Sequence, residues 1–105
     1  MSPRDFHPFP RRENRIPMEI PVVLDGHRLL PGVEATFTEN VSASGARVIS
    51  MRRWDKDARL TFASRKGEFR SAARVAYCLP VHGDGYAIGL QFLEPQGRWV
   101  VQSAS

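Results

Sequence analysis

Cysteine, lysine and long apolar runs are scarce in this chain. Cys78 is the single cysteine among 105 residues, so an internal disulfide, a redox pair of cysteines and a cysteine zinc site are excluded. The longest apolar runs, such as residues 22–24, are far shorter than the ~20 residues of a membrane-spanning helix. The first residues carry charge and proline instead of the apolar stretch of a signal peptide. We therefore expect a soluble, cytoplasmic protein without membrane insertion.

Lysine supplies only two of the 15 basic residues, so arginine supplies most of the positive charge. With 11 acidic residues, the net charge is +4. The arginine side chain offers a planar fork of donors that fits phosphates and guanine edges, and it also stacks on aromatic rings. The composition therefore favours a phosphate-bearing partner. A genome rich in G and C would raise the arginine content in the same way. The length and the 42% hydrophobic content fit one small domain.

Motifs of catalysis and metal binding are also missing. The chain has three histidines, at His7, His27 and His82. None has a partner at ligand spacing, and there is no nucleophile elbow, phosphate-binding glycine loop or His-Glu-x-x-His motif. Cys78 has no histidine near it in sequence, which favours a packed thiol over a nucleophile. Asp55 and Asp57 flank Lys56 in a polar loop and are interpreted as solvated charges. We predict no enzyme activity and no cofactor.

Residues 1–17 differ in pattern from the rest of the chain. They contain four prolines and several charged residues and show no apolar periodicity. Because proline at this density disfavours helix, we predict a flexible arm rich in proline and arginine over residues 1–17. We predict that residues 18–105 form one folded domain after this arm.

From residue 18 onwards, apolar and polar residues alternate with the period of two that is typical of half-buried strands. Six strands are predicted, at 18–24, 33–40, 45–51, 58–63, 68–78 and 86–93. Pro21 inside the first of them indicates an edge or a bulge. Turn signals separate the strands about every ten residues, which indicates an all-β fold, either a closed antiparallel barrel or a small sandwich.

The alternation also predicts which side chains form the core. Most aromatic residues are expected on core faces, namely Phe37, Phe62, Phe69, Tyr86 and Phe92. Three are expected to be free, namely Phe6, Phe9 and Trp54. The arginines of the strands are interpreted as barrel exterior rather than binding surface, namely Arg47, Arg59, Arg70 and Arg74. Gln91 falls on the outer face of the last strand, where a ligand on the barrel wall could contact it. Residues 96–102 are predicted to form a short C-terminal helix, with Trp99 facing the barrel.

Two short motifs occur at the junctions of these elements. Arg11 and Arg15 form an Arg-x-x-x-Arg pattern where the arm meets the first strand. Asn40, Ser42 and Gly45 form an Asn-x-Ser-x-x-Gly pattern in the turn between two strands. The arginine pair is weak evidence by itself, because the spacing recurs within a strand. The second motif arises by chance in only about a few per cent of such chains, and the order and context of both make the combination specific.

With these motifs in this order, the chain resembles the PilZ domain, a bacterial receptor module for cyclic di-GMP. The resemblance runs from about Pro10 to about Trp99, and residues 85–92 (Gly-Tyr-Ala-Ile-Gly-Leu-Gln-Phe) resemble the family's late strand. It implies a six-stranded antiparallel β-barrel with a C-terminal helix, for which the tail here is short. It also implies a set of residues that bind cyclic di-GMP, namely Arg11, Arg15, Asn40, Ser42 and Gly45. Arg12 lies between the two motif arginines, where many members carry a basic residue, and is included in the predicted site.

The chemistry of these residue types agrees with that implication. Cyclic di-GMP carries two phosphates and two guanines, and an arginine fork can bond guanine O6 and N7, clamp a phosphate or stack on a base. Asn40 can pair with a guanine edge, and Ser42 can donate its hydroxyl to base or phosphate. Gly45 would permit a turn conformation closed to other residues and would let the ligand approach the backbone. The arm would become ordered as it folds over the ligand.

The sequence thus predicts a single-domain cyclic di-GMP receptor that signals to a protein partner. We expect it to be a monomer or a weak homodimer and not to bind DNA. One alternative is a PilZ-like adaptor of pilus or flagellar function that does not bind nucleotide. Another is a small nucleic-acid-binding barrel, which would need basic residues interleaved with exposed aromatics on one face. The motif residues could also be solvated charges of the arm and an ordinary turn.

Overall fold

Eight strands form one antiparallel sheet in the computed structural model, which describes residues 14–101. Their bounds are β1 Ile16–Pro17, β2 Pro21–Asp25, β3 Glu34–Ser42, β4 Gly45–Ser50, β5 Arg59–Ser64, β6 Phe69–Pro80, β7 Tyr86–Phe92 and β8 Gln96–Gly97. The predicted site residues Arg11 and Arg12 and the predicted free aromatics Phe6 and Phe9 lie outside the described residues. Two residues of the predicted arm, Ile16 and Pro17, pair with β3 as β1.

Six of the strands close into a barrel. Around its wall each strand pairs antiparallel with the next in the order β2, β5, β6, β7, β4 and β3, and β3 pairs back to β2. The short strands β1 and β8 lie along β3 and β6, beyond the ends of β2 and β7. The predicted six-stranded antiparallel barrel is therefore confirmed. Closure gives each of these six strands a neighbour on both sides, so none of the six is an edge strand.

The first predicted strand is interrupted before Pro21, and the interruption determines which side of β3 faces inward. Thr38 is buried there, and its hydroxyl accepts a hydrogen bond from the Ile20 amide at 2.9 Å and donates one to the Met18 carbonyl at 2.6 Å. Because neighbouring residues of a strand face opposite sides, Phe37 points outward and is 51% exposed. The prediction that Phe37 lies in the core is wrong, since the backbone groups at the gap need the threonine hydroxyl.

Aliphatic side chains fill the middle of the barrel, and four aromatic rings close one end. The rings have neighbouring centroids between 4.7 and 6.2 Å apart and belong to Phe62, Phe69, Phe92 and Trp99. We call these four residues the aromatic plug. All are buried, which confirms the core assignment of the three phenylalanines. Tyr86, which was expected on a core face, is only half-buried at the start of β7. Edge-to-face and tilted ring packing of this kind contributes beyond the area it buries.

Trp54 closes the opposite end of the barrel. The prediction that it is free is wrong, because it is only 4% exposed. Its Nε1 donates to the Ser50 hydroxyl at 3.2 Å, and its ring meets the ring of His27 edge-on at 4.6 Å. Trp54 lies between two strands, where alternation says nothing about burial. The loop after β4 folds back over the barrel end and carries the side chain inward.

The predicted C-terminal helix does not occur within the described part of the tail, and that prediction is wrong up to Val101. Gly97 pairs with Phe69 in β8, and the Arg98 amide donates to the Glu68 carbonyl at 2.7 Å. Gly97 has a φ of 92°, in the left-handed region that favours glycine, and a Cβ there would lie 2.3 Å from the Glu68 oxygen. Trp99 faces the barrel interior, as predicted. None of residues 14–101 belongs to a helix long and apolar enough to cross a membrane.

Candidate functional site

The second motif forms the hairpin between β3 and β4. Ser42 pairs with Gly45 across a turn of two residues, and the Ser42 hydroxyl donates to the Gly45 carbonyl at 3.4 Å. The Ser42 carbonyl accepts a hydrogen bond from Nε1 of Trp99 at 2.8 Å. The Ser44 carbonyl accepts one from the Phe92 amide at 2.8 Å. The hairpin is therefore fixed to the aromatic plug and to β7, and its position depends on the folded core.

Gly45 has a different role from the one that the turn pattern suggests. Its φ is not in the left-handed region, so the expectation that it permits a turn conformation closed to other residues is wrong. A Cβ at this position would lie 2.2 Å from the Leu90 carbonyl oxygen of β7. Glycine is required because the backbones of β4 and β7 approach closely at the start of their pairing.

The two motifs meet through Arg15 and Asn40. Nη1 of Arg15 donates to Oδ1 of Asn40 at 3.1 Å, and the pairing of Pro17 with Asn40 holds the end of the arm beside β3. Arg15 is exposed and Asn40 is half-buried. Of the predicted site residues, the structure thus brings Arg15 and Asn40 into direct contact at the base of the hairpin.

A cavity of about 1020 Å³ lies beside this contact. Its size is at the upper end of the range of about 300–1,000 Å³ that ligand pockets usually have. It is lined by Arg15, Ser42, Ser44, Gly45, Ala46, Lys56, Asp57, Arg74, Ala76, Tyr77, Gly89, Leu90 and Gln91. Three predicted site residues, Arg15, Ser42 and Gly45, therefore share one cavity, and Asn40 adjoins it through its bond to Arg15.

Arg74 crosses the wall of the cavity from β6. Its Nε and Nη2 donate to Oε1 of Gln91 at 3.2 and 2.9 Å, and its Nη1 donates to Oδ1 of Asp57. Asp57 has a φ of 71°, the left-handed value that aspartate tolerates better than most residues. The interpretation of Asp57 as a solvated charge thus missed its partner. Arg74 does lie on the barrel exterior, and that exterior lines the cavity.

Tyr77 and Gly89 form the neighbouring part of the wall. The Tyr77 ring lies directly on Gly89, where an added Cβ would be 2.1 Å from the nearest ring atom. Its hydroxyl accepts a hydrogen bond from Nη1 of Arg47 at 3.4 Å, and Nε of Arg47 donates to Glu39 at 2.8 Å. These hydrogen bonds, first the one to Glu39, raise the pKa of Arg47. The ring therefore lies on Gly89, and the Arg47 guanidinium carbon lies over it, 5.8 Å from the ring centroid, near its hydroxyl end.

The charge of the cavity lining is positive. Three cationic side chains (Arg15, Lys56 and Arg74) face one carboxylate, that of Asp57. Among the described residues, Lys56 has no ionic partner. No local sequence pattern places Lys56, Arg74 or Tyr77 in a site, because β6, β7 and the loop before β5 come together only through the strand register. Residues 14–101 contain no group of histidine, cysteine or acidic side chains that could hold a metal ion.

The structure is thus a small β-barrel with a positively charged cavity on its wall. The family model of the PilZ domain matches residues 9–99, so the chain belongs to the PilZ domain family. Its fold is similar to the structure of the Bacillus subtilis inhibitor of motility (MotI/DgrA), with a TM-score of 0.65 and 18% sequence identity. That similarity covers 90% of this chain and 48% of the other, so the chain spans about half the length of MotI/DgrA. No curated protein sequence matches the chain.

Proposed function

We propose that this PilZ domain is a receptor for cyclic di-GMP and that the dinucleotide binds in the cavity between the β3–β4 hairpin and β6. One observation carries the proposal. Residues of both motifs, Arg15 with Ser42 and Gly45, line a single cavity together with two further cations, Lys56 and Arg74. The motif residues are thus arranged around a space of ligand size, as a binding site requires.

The chemistry of the lining matches the ligand. Two phosphates would enter a cavity whose side chains have a net positive charge, and hydrogen bonds between ionised partners are about twice as strong as neutral ones. Arg15 uses one donor on Asn40, which leaves the rest of its fork for a phosphate or a guanine edge. In this proposal Asn40 orients Arg15, and Ser42 contributes its hydroxyl. Arg11 and Arg12 complete the site from the arm.

The output of such a receptor would be a change of surface. A domain of this size without catalytic motifs passes a signal by presenting a different face when the ligand is bound. We propose that the bound arm and the barrel wall form that face and that a cytoplasmic protein partner recognises it. The similar structure is that of an inhibitor of motility, which makes motility the first process to test.

Isothermal titration of cyclic di-GMP into the wild type, Arg15→Ala and Lys56→Ala tests the proposal. We expect saturable binding by the wild type, weakened at least tenfold in each variant because each loses a charged contact. Arg70→Ala is the matched control, since Arg70 is exposed on β6 but does not line the cavity, and it should bind as the wild type does. Absence of binding by the folded wild type would overturn the proposal.

The adaptor that does not bind nucleotide is the second candidate. The observation that favours it is the exposed apolar surface outside the cavity, where Phe37 is 51%, Leu29 73% and Met51 66% exposed. Exposed apolar side chains mark contacts with other proteins where they form a contiguous patch. The same titration separates the two candidates, because an adaptor of this kind would give no heat with the dinucleotide at any concentration.

A further inference from the structure

The orientation of the Gln91 side-chain amide is determined by its neighbour. A guanidinium group has only hydrogen-bond donors, and two of the donors of Arg74 lie 3.2 and 2.9 Å from Oε1 of Gln91. The reverse orientation would place the amide NH₂ of Gln91 against these N–H groups. The carbonyl oxygen of Gln91 therefore faces Arg74, and both of its lone pairs are used. The NH₂ group of Gln91 points away, so this side chain can only donate to a ligand.

Asp57 holds Arg74 in the position that this orientation requires. The carboxylate of Asp57 accepts from Nη1 of Arg74, and the Asp57 amide donates to the Val75 carbonyl at 2.7 Å. All three nitrogens of the Arg74 guanidinium group thus have partners in the wall. Because its donors are used in this way, Arg74 acts here by positioning Gln91 rather than by presenting a free fork to the ligand.

Tyr77 supplies a flat surface next to Gln91. Its ring lies on Gly89, and Gly89 and Gln91 are two residues apart on β7, so they face the same side of the sheet about 7 Å apart. Both Tyr77 and Gln91 line the cavity, whereas Arg47, whose guanidinium carbon lies 5.8 Å from the Tyr77 ring centroid, does not. A purine stacked on the ring would therefore have one edge within reach of the Gln91 amide. Stacking of a base on an aromatic side chain is tolerant of base identity.

The donor-only amide distinguishes the two purines. On its Hoogsteen edge guanine presents two acceptors, N7 and O6, whereas adenine presents the acceptor N7 and the donor N6 amino group. We propose that Tyr77 and Gln91, the latter oriented by Arg74, form a subsite that selects guanine over adenine in a cyclic dinucleotide. The inference rests on the proposed function, because it assigns a role within the same cavity. Gln91 donates to guanine O6, and the same NH₂ group would meet the amino group of adenine.

Titration with two ligands, cyclic di-GMP and cyclic di-AMP, tests this subsite in the wild type, Gln91→Met and Tyr77→Leu. Methionine keeps the length of the glutamine side chain and removes its donor. We expect Gln91→Met to lower the affinity for cyclic di-GMP about tenfold, because the bond to O6 is lost. The affinity for cyclic di-AMP should stay the same or rise, because the contact between two donors is relieved, so the ratio of the two affinities falls. We expect Tyr77→Leu to lower the affinity for both ligands by about 5- to 150-fold. The ratio of the two affinities should stay unchanged.

The possible outcomes distinguish failure of guanine selection from failure of the receptor function. If the folded wild type binds neither ligand, the receptor function and the subsite both fail. If the wild type binds cyclic di-GMP while Gln91→Met keeps the wild-type ratio, guanine selection by Gln91 is overturned and the receptor function stands. Unchanged affinity of Tyr77→Leu would likewise remove the stacking role. Thermal unfolding of each variant without ligand verifies that the barrel is intact.

Discussion

Oδ1 of Asn40 accepts a hydrogen bond from Nη1 of Arg15 at 3.1 Å, across 25 positions of the sequence. The contact joins the last residue of one motif to the first residue of the other. One of the two lone pairs of the Asn40 oxygen is thereby used by Arg15. In the proposed site, Asn40 would orient the arginine that lines the cavity.

This relationship predicts that the effects of the two residues on binding are not additive. Asn40→Ala should weaken cyclic di-GMP binding about tenfold with little change in stability, since its hydrogen bond is exposed. In an Arg15→Ala background, the same Asn40→Ala change should have almost no further effect, because the residue it positions is gone. Titration of the four proteins of this double-mutant cycle measures the coupling. Fully additive losses would show that Asn40 contacts the ligand independently.

Gly45→Ala should destabilise the protein even without ligand. The added methyl group would lie 2.2 Å from the Leu90 carbonyl oxygen, so the backbones of β4 and β7 must separate. We expect a loss of at least about 1–3 kcal/mol in the free energy of unfolding, the usual cost of overpacking, measured by urea denaturation.

Gly67→Ala is the control for that loss. Gly67 has a φ of 79°, but an added Cβ would have no atom within 4 Å, so alanine there introduces backbone strain without a collision. A smaller loss is expected than at Gly45. Equal losses at the two positions would contradict the close approach of β4 and β7 as the reason for the motif glycine.

Trp99→Phe should weaken both folding and binding. The change keeps an aromatic ring in the plug but removes the Nε1 donor that the Ser42 carbonyl accepts at 2.8 Å. Loss of a buried partner costs about 1–3 kcal/mol, and it frees the hairpin that lines the cavity. Urea denaturation and titration with cyclic di-GMP check the two effects.

Trp54→Phe is the matched control at the other end of the barrel. It removes the hydrogen bond from Nε1 of Trp54 to the Ser50 hydroxyl, at the end of β4 opposite the β3–β4 hairpin. We expect a similar loss of stability and an unchanged affinity for cyclic di-GMP at a temperature where both variants are folded. A binding defect equal to that of Trp99→Phe would mean that the hairpin responds to general destabilisation only.

Gly89→Ala should lower affinity while sparing the fold. The nearest atoms to an added Cβ belong to the Tyr77 ring, and a side chain on the barrel exterior can rotate away where a backbone cannot. The ring would then leave its place on β7, so cyclic di-GMP affinity should fall to that of Tyr77→Leu. In a Tyr77→Leu background the same change should add little. Titration of the single and double variants checks this, and wild-type affinity in Gly89→Ala would contradict the placement of the ring.

Much of the barrel follows from local alternation, and the exceptions have local causes. The six predicted strands are present because each has a period of two bounded by turn residues. Phe37 faces outward, against the prediction, because the chain breaks between β1 and β2 and the buried Thr38 hydroxyl bonds to the backbone at that break. Hydrophobicity alone does not reveal such a break. The tail extends as β8 because Gly97 adopts a left-handed φ, and helical spacing in so short a segment could not show that.

Only those residues of the candidate site that belong to a sequence motif were predictable. Arg15, Asn40, Ser42 and Gly45 are recognisable along the chain, and the structure brings them to one hairpin and its cavity. Lys56, Arg74 and Tyr77 belong to other elements and reach the cavity through the register of β5 to β7, which no local pattern specifies. Gln91 was placed correctly on the outer face by alternation. Its orientation depends on Arg74, which is known only once the strands are paired.

Titration of cyclic di-GMP into the wild type beside Arg15→Ala, followed by thermal unfolding with and without ligand, is the decisive test of the receptor function. We expect saturable binding that Arg15→Ala weakens at least tenfold. We also expect stabilisation of the wild type by about 2.7 kcal/mol at a hundredfold excess of ligand over its dissociation constant. A folded wild type that shows neither heat of binding nor a shift in its unfolding temperature would show that this domain is not a receptor for cyclic di-GMP.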